Sequence, residues 1–174
     1  MSTTIQLQGP VPFDPARHDT AAFDCGDEAQ TRWLRRVAAT AQATGTARIY
    51  VVTLAESPRV VGYHALAAAS VRQEDVPEAL RAQAGHSPIP AILLARLGVD
   101  VTMQGRGVGA ALVKDAMVRA HRASGVVGAR ALLVHAASPA ARAFYLAVAE
   151  FQSSPTDPFH LVIPMRAIAA ALEP

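Results

Sequence analysis

The chain has 174 residues, 51% of them hydrophobic, and a formal net charge of +2, which predicts one domain, residues 1–174, and is too little charge to indicate a nucleic-acid binder by itself. Cys25 is the only cysteine and the six histidines show no paired ligand spacing, which excludes an internal disulfide and predicts no metal site. No apolar run approaches the ~20 residues of a membrane span and Met1 to Gln8 lacks the form of a signal peptide, so we expect a cytoplasmic protein with no membrane contact.

The first predicted helix begins after Asp27, which can cap it, with Gln30 placed for a capping box. Its apolar stripe ends before Gly45 and consists of Leu34, Val37, Ala38 and Ala41. Three arginines, Arg32, Arg35 and Arg36, fall mostly away from that stripe. A solvated helix face is the simpler interpretation of these arginines, and a nucleic-acid contact is the alternative.

A hairpin and a short helix are predicted next. The β-rich runs Arg48 to Leu54 and Val60 to Val71 are joined by a turn at Glu56 to Arg59. Asp75 to Ala84 predicts a short helix, and Gly85 to Pro90 predicts a loop.

A buried strand, a glycine-rich loop and a long helix follow. Ala91 to Val99 is almost continuously apolar, as in a strand covered on both faces, and Gly98 near its end suggests a bulge with free N–H groups. The helix that follows runs from about Gly107 to Ser124. It should bury Leu112, Val113, Ala116, Met117 and Ala120 and expose Lys114, Asp115, Arg119 and Arg122.

The loop itself, Gln104 to Gly109, is a phosphate-binding candidate because its glycines let backbone N–H groups approach an anion at a helix N-terminus. It lacks the Gly-Lys-Ser/Thr of nucleotide hydrolases, and its G-x-G-x-G spacing and late position do not fit a dinucleotide fingerprint. The pattern that remains is Gln-x-x-Gly-x-Gly, and an ordinary glycine-rich helix start is the alternative.

The last part of the chain predicts a strand at Arg130 to His135, a helix from Ser138-Pro139 to about Glu150, and a strand at Phe159 to Met165. In that helix Ala141, Phe144, Tyr145 and Val148 share one face. Tyr145 is either a core aromatic residue or a general acid that donates a proton to a leaving thiolate.

The Gln104 to Gly109 loop, between a central strand and a helix, resembles the acetyl-CoA loop of the GNAT N-acetyltransferase superfamily. The resemblance implies an α/β (α+β) GNAT fold with a central mixed, mostly antiparallel sheet, a splayed central strand and flanking helices. It implies acetyl-CoA as the donor, no metal, and Tyr145 as the acid, since Phe144-Tyr145 matches the usual Phe-Tyr pair. The cofactor-binding residues that it implies are Leu97, Gly98, Val99, Gln104, Gly105, Arg106, Gly107, Val108, Gly109, Ser138 and Phe144.

A closer resemblance covers most of the chain. It rests on Phe23-Asp24-Cys25-Gly26, Trp33-Leu34, Tyr50-Val51-Val52, Val61-Gly62-Tyr63, Leu94-Ala95-Arg96-Leu97, Val99-Asp100, Val134-His135-Ala136 and Ser154-Pro155. Together these segments resemble the GNAT toxins of bacterial type II toxin–antitoxin pairs. That implies acetylation of the α-amino group of aminoacyl-tRNA, a block of translation, a ribbon-helix-helix antitoxin and a homodimer. Ala149-Glu150-Phe151 departs from the pattern, which has Gly before the Phe, and we expect an altered local backbone there.

The substrate side of the sequence is less specific. Arg32, Arg35 and Arg36 are candidate tRNA contacts, with Arg48, Arg72 and Arg81 as weaker candidates. An α-amino group near pKa ~8 needs little help from a base, and we assign neither Asp100 nor His135 as one; Cys25 is more simply a packing residue. Two alternatives stay open: a GNAT acetyltransferase of a small amine, antibiotic or protein N-terminus, and a non-enzymatic CoA-holding interaction module.

Overall fold

A computed structural model describes residues 4–82 and 85–174 of the chain. The strands are β1 (Leu7–Pro12), β2 (Arg48–Leu54), β3 (Val60–Val71), β4 (Ile89–Val99), β5 (Ala131–His135), β6 (Gln152–Ser153) and β7 (His160–Pro164). The helices are α1 (Glu28–Arg36), α2 (Ala38–Thr44), α3 (Glu78–Arg81), α4 (Val108–Ser124), α5 (Pro139–Val148) and α6 (Met165–Leu172), with a 3-10 turn at Gln73–Asp75.

The strands form one seven-stranded sheet in the order β1-β2-β3-β4-β5-β7-β6. The pairs β1/β2, β2/β3, β5/β7 and β6/β7 are antiparallel, whereas β4 and β5 are parallel. This confirms the predicted mixed, mostly antiparallel sheet with flanking helices. The parallel register extends from Ala91 to Leu94 of β4, which continues to Val99 through the segment where the resemblance places the splay.

The chain divides into two compact units, so the expectation of a single domain stays a prediction. The first comprises Met1–Leu66 and Arg96–Asp115, and the second Ala67–Ala95 and Ala116–Pro174. In the first unit one buried cluster is built around Phe23, Leu34, Ile49 and Tyr63, and another around Val61, Met103, Val108 and Leu112. The second unit has its own cluster, which includes Val76, Leu80, Ala131, Leu133 and Val162.

The first predicted helix is two helices. Asp27 caps α1 as expected and accepts a hydrogen bond from the Gln30 N–H at 3.0 Å, and Gly45 ends α2 in a left-handed conformation with φ 76°. Val37 lies at the break between the helices and is 42% exposed, so its place in the buried stripe was wrong. Leu34, Ala38 and Ala41 are buried at helical spacing, whereas Val37, which caps both helices, is on the exposed side.

Other elements depart from the sequence prediction in smaller ways. The helix expected at Asp75 to Ala84 is a 3-10 turn followed by the four-residue α3, and its last two residues lie outside the described part of the chain. Asp115 of α4 is not a solvated residue, because its Oδ2 lies 2.7 Å from Nε2 of the buried His64. The short β1, β6 and α6 were not predicted. Within the described residues, no helix has both the length and the apolar character needed to cross a membrane.

Candidate active site

The glycine-rich loop lies between β4 and α4 and is held at both ends by the core. Met103 and Val108 are buried in the first unit, while the residues between them are exposed. Gly105 and Gly107 have φ values of 73° and 82°, and a Cβ on either would meet no heavy atom within 4 Å. Glycine is therefore required at these positions by the left-handed backbone, not by crowding, which leaves open space above the loop.

The first turn of α4 offers unpaired donors beside this loop. In the described chain the N–H groups of Val108, Gly109 and Ala110 donate to no protein acceptor, and the Ala111 N–H is the first to be satisfied, by the Gly107 carbonyl at 3.1 Å. Such a helix start carries partial positive charge and binds anions. The exposed Arg106 makes no ion pair within the described residues, so its charge is also available.

Gln104 has an internal role that the sequence did not indicate. Its side-chain Nε2 donates to the carbonyls of Cys25 and Val99, each at 2.9 Å. The amide therefore ties the loop to the end of β4 and to the Phe23–Gly26 segment. Gln104 is a positioning residue for the loop, and the signature Gln of the motif is explained by this tie.

Gly98 is explained by packing in the first unit. A Cβ at Gly98 would lie 2.9 Å from Cε1 of Tyr63, closer than real Cβ contacts, and 3.3 Å from Cζ of Phe23, which is tight. The neighbouring Leu97 and Val99 are half-buried against the second cluster of that unit. The bulge interpretation of Gly98 stays a prediction, since close approach of the Tyr63 ring already requires a glycine.

Asp100 directly follows β4, and its carboxylate is 1% exposed and accepts several hydrogen bonds. Its oxygens accept from the Thr102 hydroxyl at 2.6 Å, the Thr102 N–H at 3.0 Å and the Asp24 N–H at 3.1 Å, and Oδ1 lies 3.5 Å from the Arg59 guanidinium. Burial alone raises the pKa of Asp100, but these donors together with Arg59 outweigh it and lower the pKa. The carboxylate is thus a turn organiser, which agrees with the simpler sequence interpretation.

Tyr145 is positioned by a well-capped helix in the second unit. Ser138 Oγ accepts from the Ala141 N–H at 3.1 Å, and Pro139 occupies the first turn of α5, as predicted. The Tyr145 ring is edge-on to Phe144 and Phe151, with centroids 5.2 Å and 6.0 Å away. The Ser138 hydroxyl is occupied by capping, whereas Phe144 shapes the surroundings of the phenol.

The Tyr145 hydroxyl is the polar group on α5 that matters for the proposed chemistry. The residue is 9% exposed, yet its hydroxyl makes no hydrogen bond to any residue in the part of the chain that the structure describes. Burial raises the pKa of Tyr145 to about 12, so the phenol stays protonated. The hydroxyl is not among the fully buried polar atoms that lack a partner, so it keeps some exposure to solvent, which a general acid acting on a bound substrate requires.

Comparison with known proteins decides the family. No family model matches the chain. The tRNA-acetylating toxin of Mycobacterium tuberculosis (strain ATCC 25618 / H37Rv) is 41% identical to it over 148 residues, which cover 85% of this chain and 87% of that protein. The chain belongs to the GNAT-type tRNA-acetylating toxins. This confirms the resemblance drawn from the sequence.

Solved structures of the toxin family share the fold. A tyrosine-to-phenylalanine mutant of KacT matches with a TM-score of 0.87 at 25% identity, covering 98% of this chain and 100% of that chain. AtaT complexed with acetyl-methionyl-tRNAfMet matches with a TM-score of 0.85 at 26% identity and the same coverage. A tyrosine-to-phenylalanine mutant of AtaT, bound to the C-terminus of the antitoxin AtaR and acetyl-CoA, matches at 0.78 and 26%, covering 98% of this chain and 99% of that chain.

The candidate tRNA-contact arginines of this toxin-family member lie on α1. Arg32, Arg35 and Arg36 are all exposed, and Arg32 lies 3.6 Å from Glu28. The three weaker candidates are engaged internally: Arg48 donates to Gln42, Arg72 pairs with Glu74 and Asp75, and Arg81 donates to Val76. Among these six, Arg35 and Arg36 are the two that make neither an ion pair nor a side-chain hydrogen bond within the described residues.

His135 borders a cleft of about 280 Å³ in the second unit. Its ring stacks on His160 at a centroid distance of 4.0 Å, and Nε2 of His160 lies 3.5 Å from Asp157. Desolvation, followed by the charge of His160, lowers the pKa of His135. The imidazole is therefore neutral near pH 7, although no contact of the described residues singles it out as a base.

Proposed function

We propose that this protein transfers the acetyl group of acetyl-CoA to the α-amino group of aminoacyl-tRNA and thereby blocks translation, with Tyr145 as the general acid. The observation that carries the mechanism is the buried Tyr145 phenol, whose hydroxyl meets no partner among the described residues. Family membership supports the substrate, because the 41% identical relative is a tRNA-acetylating toxin and AtaT has been solved with acetyl-methionyl-tRNAfMet.

The first unit supplies groups that suit acetyl-CoA, which AtaT binds. The unpaired amides of Val108, Gly109 and Ala110 and the charge of Arg106 would hold the pyrophosphate, with Gly105 and Gly107 leaving room above the loop. Leu97, Gly98 and Val99 would contact the pantetheine arm. Ser138 and Phe144 would act indirectly, through the cap and the ring contacts that fix Tyr145.

The transfer is a direct one. The neutral amine attacks the thioester carbonyl, the C–S bond breaks, and the sulfur takes up a proton as the amine nitrogen loses one. Tyr145 would donate to the sulfur while charge develops there and would regain a proton from solvent, so that N-acetyl-aminoacyl-tRNA and CoA are the products. No acyl-enzyme is required, which agrees with the packing role of Cys25 beside Thr31.

A strong base is unnecessary for this acceptor. An α-amino group has a pKa near ~8, so a useful fraction is neutral at physiological pH. Asp100 is unsuited to the role because its oxygens already accept from Thr102 and Asp24 and face Arg59. The proposal therefore leaves deprotonation to solvent.

The partners that we propose for this chain are those of toxins in the same family. KacT and AtaT structures include a KacTA–DNA complex and AtaT bound to the antitoxin AtaR, and we propose a ribbon-helix-helix antitoxin and a homodimer for this chain. Charged tRNA is a cytoplasmic substrate, so the proposed action is cytoplasmic. Light scattering of the purified toxin, alone and with the antitoxin, tests the stoichiometry.

The decisive experiment mixes purified protein, labelled acetyl-CoA and total charged tRNA and analyses the aminoacyl ends by mass spectrometry. Acetylated α-amines in the wild type, with a steep loss in Tyr145→Phe, are the expected result and identify the amino acid. Unmodified ends from protein that binds acetyl-CoA would refute the tRNA substrate and direct the search to small amines and peptide N-termini.

A further inference from the structure

Three planar side chains are in contact in the first unit. The Tyr63 ring is fully buried and its hydroxyl donates to the Gln30 carbonyl at 2.8 Å. The Trp33 ring of α1 lies parallel to it, with centroids 6.0 Å apart and an interplanar angle of 10°. Above the Trp33 ring lies the guanidinium of Arg96, whose Cζ is 5.5 Å from the ring centroid. We call this pair of surface-reaching side chains the Trp33–Arg96 stack.

The stack is built on rigid supports. Tyr63 also meets Phe23 edge-on at 5.5 Å, and Gly98 allows the Tyr63 ring to approach β4 because any Cβ there would lie 2.9 Å from it. Arg96 itself comes from β4, directly before Leu97. The core therefore orients the Trp33 ring, and β4 fixes the position of the Arg96 backbone.

The charge of Arg96 is unpaired. Its side chain is half-exposed and, among residues 4–82 and 85–174, it makes neither an ion pair nor a hydrogen bond. Arg35 and Arg36 on α1, the helix that carries Trp33, are exposed and likewise make no ion pair there. A guanidinium within cation–π distance of a ring, as that of Arg96 is of Trp33, keeps N–H donors that can meet an anion or a base edge.

We propose that the Trp33–Arg96 stack binds the single-stranded 3′ end of the tRNA, with a terminal base stacked on these planes and a backbone phosphate at the guanidinium edge. This inference rests on the proposed function and identifies the part of the tRNA that these side chains bind. Unpaired RNA ends are recognised in this way, by bases stacked on aromatic rings and arginine planes. Arg96 precedes Leu97 on β4, so the stack lies one residue along the strand from the segment proposed for the pantetheine arm, with the two side chains on opposite faces.

A short RNA tests the proposal without turnover. The probe is a fluorescently labelled oligonucleotide ending in CCA, with the amino acid joined through a stable amide, and the matched probe lacks the terminal adenosine. We expect the wild type to bind the full probe, and Arg96→Ala to bind it roughly tenfold more weakly, as expected for loss of one stacking and phosphate contact. Arg166→Ala, which removes an exposed arginine from α6, is the matched control.

Trp33 supplies a second readout because it is the only tryptophan. The full probe should change the intrinsic fluorescence of the wild type, and the probe lacking adenosine should change it much less. Arg96→Lys keeps the charge but not the plane, so its affinity should fall between those of the wild type and Arg96→Ala. In turnover, Arg96→Ala should raise KM for charged tRNA and leave the Kd of acetyl-CoA unchanged.

The outcomes separate the two proposals. If the wild type acetylates charged tRNA but binds both probes equally, or if Arg96→Ala binds the full probe as tightly as Arg166→Ala does, the stack does not hold the 3′ end. A weaker acetyl-CoA affinity in Arg96→Ala would assign the guanidinium to the donor and overturn the proposal as well. If the wild type acetylates no charged tRNA, the proposed function itself fails.

Discussion

Replacing Tyr145 by phenylalanine removes one hydroxyl and leaves the ring. The edge-on contacts with Phe144 and Phe151 depend on the ring alone, and the hydroxyl makes no hydrogen bond to the described residues. The free energy of unfolding should therefore change by less than about 0.5 kcal/mol. Any loss of activity then reports chemistry and not folding.

The size of the kinetic effect follows from the pKa values. Burial raises the pKa of Tyr145 to about 12, whereas a thiol lies near ~8.5, so complete proton transfer to the thiolate is uphill by roughly 5 kcal/mol. The phenol therefore helps by partial donation as the C–S bond breaks. General acids contribute ~10²–10⁴-fold, and we expect a value near the lower end, about 10²-fold in kcat.

The assay measures kcat at saturating acetyl-CoA and charged tRNA, with the Kd of CoA from calorimetry. Tyr145→Phe should lower kcat and leave Kd unchanged, while Tyr50→Phe, which removes a hydroxyl from β2, serves as the control. A selenoester analogue of acetyl-CoA has a more acidic leaving group, so it should reduce the deficit of Tyr145→Phe. A kcat within threefold of the wild type, or an equal deficit with both donors, would refute the acid role.

Four further outcomes are expected. Gly107→Ala places a residue with a side chain at a backbone φ of 82°, which costs about 1–2 kcal/mol of strain. The loop conformation should therefore be disfavoured, and calorimetry should show several-fold weaker CoA binding. Gly98→Ala places a Cβ 2.9 Å from Tyr63 and should cost about 1–3 kcal/mol in urea unfolding. Asp100→Asn turns an amide toward N–H donors and should cost about 3 kcal/mol in the same assay. Because the pKa of His135 is lowered in the folded protein, the unfolded chain binds more protons than the folded protein below pH ~6.5. Thermal scans should therefore show stability falling as the pH drops, and the fall should be smaller in His135→Asn.

The fold could largely be predicted because its signals are local. The runs Arg48 to Leu54 and Val60 to Val71 are the strands observed, and Asp27 and Ser138 cap the helices that they were expected to cap. The failures came at a helix break and at a tertiary contact, neither of which periodicity encodes. Val37 interrupts the α1–α2 stripe, and Asp115 turns inward to His64 on a helix face that looked solvated.

At the candidate site, the structure adds packing and hydrogen-bond roles that the sequence did not indicate. A glycine in the sequence indicates that a side chain is disfavoured but not the reason. Gly107 has a left-handed backbone, whereas at Gly98 a Cβ would clash with the Tyr63 ring. Gln104 was predicted to contact the cofactor, and the structure shows that its Nε2 donates to the carbonyls of Cys25 and Val99. The contacts of Gly98 with Tyr63 and of Gln104 with Cys25 join residues far apart in the chain, which no short pattern encodes.

The division of roles has a consequence for specificity. The groups proposed to bind the donor in the first unit are mainly backbone amides, which would recognise a pyrophosphate on any CoA thioester equally well. Discrimination between acceptors would then come from side chains outside the loop, and we propose Arg35, Arg36 and the Trp33–Arg96 stack for that role. Substitutions there should change which RNA is bound, whereas substitutions in the Gln104–Gly109 loop should change only the donor affinity.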